Sequence, residues 1–220
     1  YNTISTDPGY ISAMVGWSAA AATLTTLLMG ALSDRAGKRK LFICGGYILW
    51  GLSTAAFGLV TVEHAARLFP AASAVAAAAI MIVVLDCVMT FFGSTANDAA
   101  FNAWITDTVP SQSRGRAESV LAILPLISML VIFGLFDAMT QRGQWQKFFA
   151  IFGGLVVLTG LVSIFLIPEP KLTPKKDAYL PTLIYGLRPS VIRSNPALYL
   201  AFTAFCLFSV AVQVFFPYLI

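Results

Sequence analysis

Six times between Tyr10 and Ile220 the sequence runs for about twenty residues or more with few charges. The runs cover about 10–33, 41–63, 72–108, 115–139, 146–167 and 197–219. Each reaches the roughly 20 residues that a helix needs to cross hydrocarbon. Lipid offers the backbone no hydrogen-bond partners, so only helices and closed barrels span it. Continuous apolar runs without period-two alternation predict helices. The alternative of a water-soluble core fails on composition: 58% of the residues are hydrophobic and 11% charged, where a soluble domain carries about a quarter charged. The expected fold is therefore all-α and integral to a membrane. The third run, roughly 37 residues or about 55 Å of helix, exceeds the bilayer. Its weakly apolar start, residues 71–79, is expected to project beyond it, or a tilt absorbs the length.

Loop charges set the orientation. Arg35, Lys38, Arg39, Lys40, Arg114, Arg116, Lys171, Lys175, Lys176, Arg188 and Arg193 fall in one set of loops, and only Arg67, Arg142 and Lys147 in the alternate set. Eleven cations against three place loops 33–40, 109–116 and 168–196 in the cytoplasm, with the amino end of this sequence outside. The chain begins at Tyr1 in a polar stretch and stops in an apolar run at Ile220, which reads as a fragment cut at both ends. Residues 168–177, with three prolines, read as a polar linker. Beyond them Leu180, Leu183, Ile184, Leu187 and Val191 recur at helical spacing, as in a helix lying on the membrane surface.

Several function classes drop out. Cys44, Cys87 and Cys206 are far apart in apolar runs, which argues against a disulfide framework or a metal site. His64 is the single histidine and falls in an outer loop, so no histidine pair can form; with no cysteine ligand set and no Ser-His-Asp arrangement in view, no catalytic site is expected. No cofactor is expected beyond a coupling ion, H⁺ or Na⁺. The basic loops are too short and interrupted to bind nucleic acid. The expected partners are the lipid bilayer, a small-molecule substrate and the rest of the same polypeptide.

Between the first two runs lies Gly30-Ala-Leu-Ser-Asp34-Arg35-Ala-Gly37-Lys38-Arg39-Lys40, a tight cationic hairpin. Gly30 lets backbones approach, and Gly37 permits a turn with φ > 0. Asp34 is a lone acid among four cations, suited to ion pairing or helix capping. The plainer reading is that the cations simply hold the loop on the cytoplasmic side. The pattern Gly, three residues, Asp-Arg, one residue, Gly, two basic residues resembles the loop between helices 2 and 3 of major facilitator superfamily transporters, with every position filled. That resemblance implies a twelve-helix transporter of which these runs are helices 2 to 7. It makes 1–167 the amino-terminal bundle without its first helix, 168–196 the connector between halves, and 197–220 the first helix of the second bundle. It also implies a gate at Gly30, Asp34, Arg35, Gly37, Lys38 and Arg39.

The third run carries the polar residues. Asp86, Thr90, Ser94, Asn97, Phe101 and Trp104 follow one another at +4, +4, +3, +4 and +3, a single stripe at 100° per residue. A shorter stripe holds Asp98, Asn102, Ile105 and Thr106. Acids within a span cost at least about 2.5–3.5 kcal/mol each and normally face a bundle interior or water. A structural polar network between helices is the bland alternative. Asp107 near the inner end, then Arg114-Gly-Arg116 and Glu118, suggest an inner ion-pair cluster with Asp34 and Arg35; the alternative is solvated surface charge. The segment from Asn97 to Glu118 is similar to the glycoside–pentoside–hexuronide:cation symporters within the superfamily. That likeness implies Asp98 as a sugar- and cation-binding acid, with Trp104 or Phe101 beside the sugar. Those symporters carry Asn-Asp-Pro in helix 2; this chain has Thr25-Thr26-Leu27-Leu28-Met29 before Gly30 and no acid above Asp34. The fifth-helix stretch Ser119–Ser128 holds Pro125 without the Gly-Pro signature of drug antiporters.

The reading is a secondary active transporter of a small solute, most simply a cation-coupled sugar-like one, in the plasma (inner) membrane. Asp98, Asn97, Asn102, Trp104, Phe101 and Asp86 are the candidate substrate and cation residues. Asp107, Arg114, Arg116 and Glu118 join the loop motif as candidate gating residues. The alternatives are a drug or metabolite exporter driven by proton antiport, and a non-transporting membrane receptor or lipid-handling protein.

Overall fold

A computed structural model describes residues 8–70, 73–170 and 188–215, and among these the regular structure is helical, without strands. Helix α1 spans Pro8–Ala36 and ends where Gly37 takes φ of +62°, its N–H returning to the Ser33 carbonyl at 3.0 Å. Only glycine adopts that conformation without strain, so the expected turn forms at the expected residue. Helix α2 spans Arg39–Phe57, shorter than the apolar run to 63. Three successive i→i+3 bonds, at Gly58, Leu59 and Val60, close its end. Thr61 then caps a short helix α3, Val62–Leu68, its hydroxyl accepting from the His64 N–H at 3.2 Å. Thr61 and Val62 read as apolar continuation in the sequence; the threonine's capping chemistry overrides that.

The long third run is one unbroken column in three parts: α4 over Ala74–Gly93, a π-helical stretch π1 over Ser94–Phe101, and α5 over Asn102–Thr108. The next column begins earlier than 115: α6 spans Ser111–Val131, π2 Ile132–Phe136 and α7 Asp137–Gln141. Pro125 lies inside α6 without ending it. Helix α8 spans Trp145–Leu166. Among the described residues five stretches are long and apolar enough to cross a membrane: Ser12–Ala36, Arg39–Phe57, Ala74–Thr108, Ser111–Gln141 and Trp145–Leu166. The chain is an integral, multi-pass membrane protein.

Two compact units divide between Lys176 and Asp177. In the first, α2 packs along α8 and against α4 and π1, α1 packs on α4 and π1, and α3 lies on α4. Its fully buried apolar residues are small: Ala65, Ala78, Ala96 and Ala100 with Ile43. Small side chains let helices approach closely in lipid, where apolar bulk gains nothing by clustering. A Cβ at Gly51 would stand 2.5 Å from the Gly153 carbonyl oxygen, so α2 and α8 meet backbone to backbone. Gly30, expected to serve the same purpose, has open space around it. The second unit contains α9, Pro189–Ser194, and α10, Pro196–Phe215. Most of the expected linker and surface helix, residues 171–187, lies outside the described residues, as does the end of the sixth apolar run.

Candidate functional site

Where α1 ends and α2 begins, the side chain of Arg39, the first residue of α2, is 6% exposed. Its Nη2 pairs with Asp34 Oδ1 at 2.5 Å and its Nε with Asp107 Oδ2 at 2.9 Å. Its Nη1 donates to Ser33 Oγ at 2.6 Å, and that hydroxyl donates to the Gly30 carbonyl at 3.0 Å. One guanidinium thus ties α1, α2 and α5 together, a use of the rigid donor fork that a lysine could not reproduce. The start of α2 has no side-chain cap from Lys38. Glu169 supplies one from a distant segment, its Oε1 accepting from the Arg39 N–H at 2.6 Å and the Lys40 N–H at 3.3 Å. A carboxylate there satisfies orphan donors and meets the positive end of the helix dipole.

The inner cluster differs from the expected one in its cation. Asp34 and Asp107 belong to it, but Arg39 holds both, and among the described residues Arg35, Arg114, Arg116 and Glu118 form no salt bridge. Arg114 instead donates from Nη2 to the Thr106 carbonyl at 2.7 Å and from Nε to that of Val109 at 3.2 Å, bracing the turn before α6. Arg35, Lys38, Arg116 and Glu118 are exposed. Position decides this: Arg35 still lies on α1 and points to solvent, whereas Arg39 opens α2 inside the hairpin.

Along the third column the single polar stripe does not form. In π1 the backbone bonds reach five residues back and each turn is wider, so the 100° spacing no longer carries one face through Ser94–Phe101. Ser94, Thr95, Ala96, Ala99 and Ala100 are buried, whereas Asn97 and Asp98 are exposed. The small residues let π1 settle against α2: a Cβ on Gly46 would fall 2.8 Å from that of Ala96. Tyr47 on α2 donates from its hydroxyl to Asn97 Oδ1 at 3.2 Å, and Asn97 Nδ2 donates to Asp98 Oδ1 at 3.1 Å. Asn102 Nδ2 reaches the Asp98 carbonyl at 3.2 Å. The Tyr47 and Trp50 rings stack at 5.7 Å, adding an aromatic surface on the same helix.

The structure therefore brings Asn97, Asp98 and Asn102 together and adds Tyr47, which the sequence reading passed over. A tyrosine after Gly45-Gly46, deep in an apolar run, was the available signal. Trp104 stands apart from this group. Its Nε1–H donates to the Pro168 carbonyl at 3.0 Å, next to the Glu169 cap, while its ring stacks on Phe101 at 5.9 Å. Asp86 also stands apart, one turn before Thr90, whose hydroxyl oxygen meets Ser18 Oγ of α1 at 2.7 Å. Asp98 is nine residues from Asp107 and Asp86 twenty-one. At 1.5 Å per residue that is about 13 Å and about 31 Å along the column from the Arg39 cluster.

Sugar transport protein MST4 of Oryza sativa subsp. japonica is 29% identical over 185 residues, which is 80% of this chain and 34% of that protein. Anhydromuropeptide permease of Escherichia coli (strain K12) is 27% identical over 122 residues, 55% of this chain and 23% of that protein. The chain thus spans about a third and a quarter of the lengths of these two relatives. No solved structure matches it significantly. The family model for the Major Facilitator Superfamily matches residues 1–220. Five membrane-length helices among the described residues, the filled Gly30–Arg39 pattern and that match over residues 1–220 lead to one statement: the chain belongs to the Major Facilitator Superfamily.

Proposed function

We propose that this chain forms part of a secondary transporter that moves a small, sugar-like solute together with a cation by alternating access. The observation that carries the reading is the polar group Tyr47–Asn97–Asp98–Asn102, set beside the stacked Tyr47 and Trp50 rings; at about 13 Å along the column from the Arg39 cluster, we read it as near mid-depth of an apolar layer about 30 Å thick. Transporters of this kind place their sites near the midplane and rock helical bundles around them. Carboxylate and amide oxygens suit the hydroxyls of a sugar, and a flat ring suits its C–H face. Asp98 is exposed and forms no salt bridge among the described residues, so its charge is available to a solute or a cation. Residues 1–167 act as one helical bundle, 168–196 as the connector, and 197–220 as the start of a second bundle, in the inner membrane with the Arg39 cluster on the cytoplasmic side. Gly30, Asp34, Arg35, Gly37, Lys38 and Arg39 form its inner gate with Asp107. One relative's name includes sugar and another's anhydromuropeptide, which sets the compounds to try.

The test is uptake into proteoliposomes of the full-length protein, wild type against Asp98→Asn, with labelled sugars and anhydromuropeptides under sodium and proton gradients. Gradient-driven uptake that falls at least tenfold in the variant supports the reading. Wild-type uptake that the variant retains makes Asp98 a packing residue and overturns the site. Absence of any uptake of these compounds overturns the substrate class.

A further inference from the structure

We propose that Trp50 is a specificity-determining residue for the solute, its indole N–H donating a hydrogen bond to an uncharged solute oxygen held one turn from the Asp98 group. The inference rests on the transport reading in taking that group as the solute site. The first observation is that α2 and the third column meet in successive rungs. The Tyr47 hydroxyl reaches Asn97 Oδ1 at 3.2 Å. About one turn along each helix, Trp50 meets Gly93: a Cβ on that glycine would stand 3.0 Å from Cε2, 3.2 Å from Cδ2 and 3.4 Å from Cζ2 of the indole. A glycine here lets the fused part of the indole settle on the backbone of α4. On α2 itself the Tyr47 and Trp50 rings stack at 5.7 Å and 29°. A glycine from one helix and a tyrosine from the other thus fix the indole beside the Asn97–Asp98 pair.

The second observation is an unspent donor. Trp104 gives its N–H to the Pro168 carbonyl. Among the described residues the Trp50 N–H has no hydrogen-bond partner, and since no buried side-chain nitrogen or oxygen there lacks one, this nitrogen reaches open space. Tryptophan in membrane helices is enriched at the headgroup level, where its N–H meets water. Trp50 instead lies eleven residues into α2 from Arg39, about 16 Å along a membrane-length helix, where an unpaired N–H is costly. Nor does it lie on the open face of α2. At 100° per residue it is about 100–180° from the exposed Leu41, Leu49 and Leu52, and within about 40° of the buried Ile43 and Gly46. The donor therefore opens on the side where the helices meet. The surrounding chemistry defines what fits. The indole N–H only donates, and an ionised Asp98 only accepts. Asn97 is committed on both atoms, its oxygen to Tyr47 and its nitrogen to Asp98. A neutral polyhydroxylated solute gives a hydroxyl proton to Asp98 and offers an oxygen to Trp50. An ammonium compound has only donors and would leave the indole unpaired, so this pair of groups selects against it.

Two measurements on the full-length protein test this. The first is uptake of the labelled sugars and anhydromuropeptides into proteoliposomes by wild type, Trp50→Phe, and protein carrying benzothienylalanine at position 50. That analogue keeps the shape and rings of tryptophan and lacks only the N–H, so it keeps the test decisive if Trp50→Phe does not fold. The expected result is a KM raised at least about tenfold in both, the value of one hydrogen bond, with the maximal rate unchanged. The second is the ¹⁵N–¹H indole resonance of Trp50, assigned by its loss in Trp50→Phe, recorded while the same compounds are added. It is expected to move downfield with each compound that is taken up. Wild-type uptake whose KM is unchanged in the benzothienylalanine protein overturns the role of Trp50 and leaves the transport reading standing. A resonance that moves with a compound the protein does not carry supports the role of Trp50 and overturns the transport reading. A resonance that no compound moves overturns the role of Trp50, and if uptake is absent as well, both fall.

Discussion

Helices α2 and α8 touch backbone to backbone, whereas α6, equally apolar in its second half, buries none of its residues. A Cβ at Gly153 would stand 2.6 Å from the Ala55 nitrogen and the Gly51 carbonyl oxygen. On α6, Leu126 is 62% and Leu130 74% exposed. In water the second arrangement would be untenable; in lipid it costs nothing, because the tails are as apolar as leucine. Hydropathy therefore places a helix in the membrane, and small residues decide which helices meet. The two regions separate these determinants within one chain.

The contact between α2 and α8 is the place to break that comparison most severely. Gly51→Leu pushes four carbons into the backbone of α8, where neither Gly153 nor Val157 can yield as a flexible side chain would. The expected outcome is loss of folded protein, read as aggregation on size-exclusion chromatography, while Gly154→Leu on the open face of α8 elutes as wild type. Next in size comes the inner cluster. Arg39→Gln strands Asp34 and Asp107 together without their cation, a loss of about 3–5 kcal/mol for breaking a buried pair. Exposed Arg35→Gln, in the same motif, stays within about 0.5 kcal/mol. Thermal unfolding of the purified variants checks both, and equal losses would show that the motif's two arginines share the load.

The division between the two regions also explains what the sequence disclosed. The membrane columns were legible because hydropathy acts residue by residue, and Gly37 because only its φ could close so short a hairpin. The inner acids Asp34 and Asp107 were legible as a cluster, yet their cation was assigned to Arg35, Arg114 and Arg116. Which arginine turns inward depends on where α1 stops and α2 begins, and helix ends are set by single hydrogen bonds. Glu169 went unseen because its partner is a pair of main-chain N–H groups 130 residues earlier, with no side-chain pattern to mark it. The polar stripe failed for a different reason. Its arithmetic assumed one helical period, and nothing in the composition of Ser94–Phe101 announces a π-helical turn; its alanines make sense only once α2 is beside them. Of the candidate solute residues, Asn97, Asp98 and Asn102 share a neighbourhood through local contacts, while Trp104 was drawn away by a partner 64 residues distant.

A smaller effect sharpens the inner end of the comparison. Ser33 is fully buried and accepts from Arg39 Nη1 while donating to Gly30. Ser33→Ala removes one charge-assisted acceptor but leaves both carboxylates in place, so the loss is about 1–2 kcal/mol. In the double variant with Arg39→Gln the serine has no guanidinium to hold, and its own effect should fall below about 0.5 kcal/mol. A double-mutant cycle on thermal stability reads the difference. Additive losses would mean that Ser33 serves its own helix rather than the cluster.

The smallest expected effect belongs to α6. Leu130→Ala removes three carbons that touch lipid and little protein. The same carbons would touch lipid if the helices separated without leaving the membrane, so the change cancels between the two states and stability moves by less than about 0.5 kcal/mol. Leucine to alanine in a packed interior costs about 2–5 kcal/mol, which makes the two outcomes easy to separate by thermal unfolding of the full-length protein. A loss in the packed range would turn the face of α6 that bears Leu130 into a contact face in the whole molecule. The contrast with α2 and α8 would then concern which neighbour each helix waits for, and small residues would lose their place as the sole determinant of helix contact.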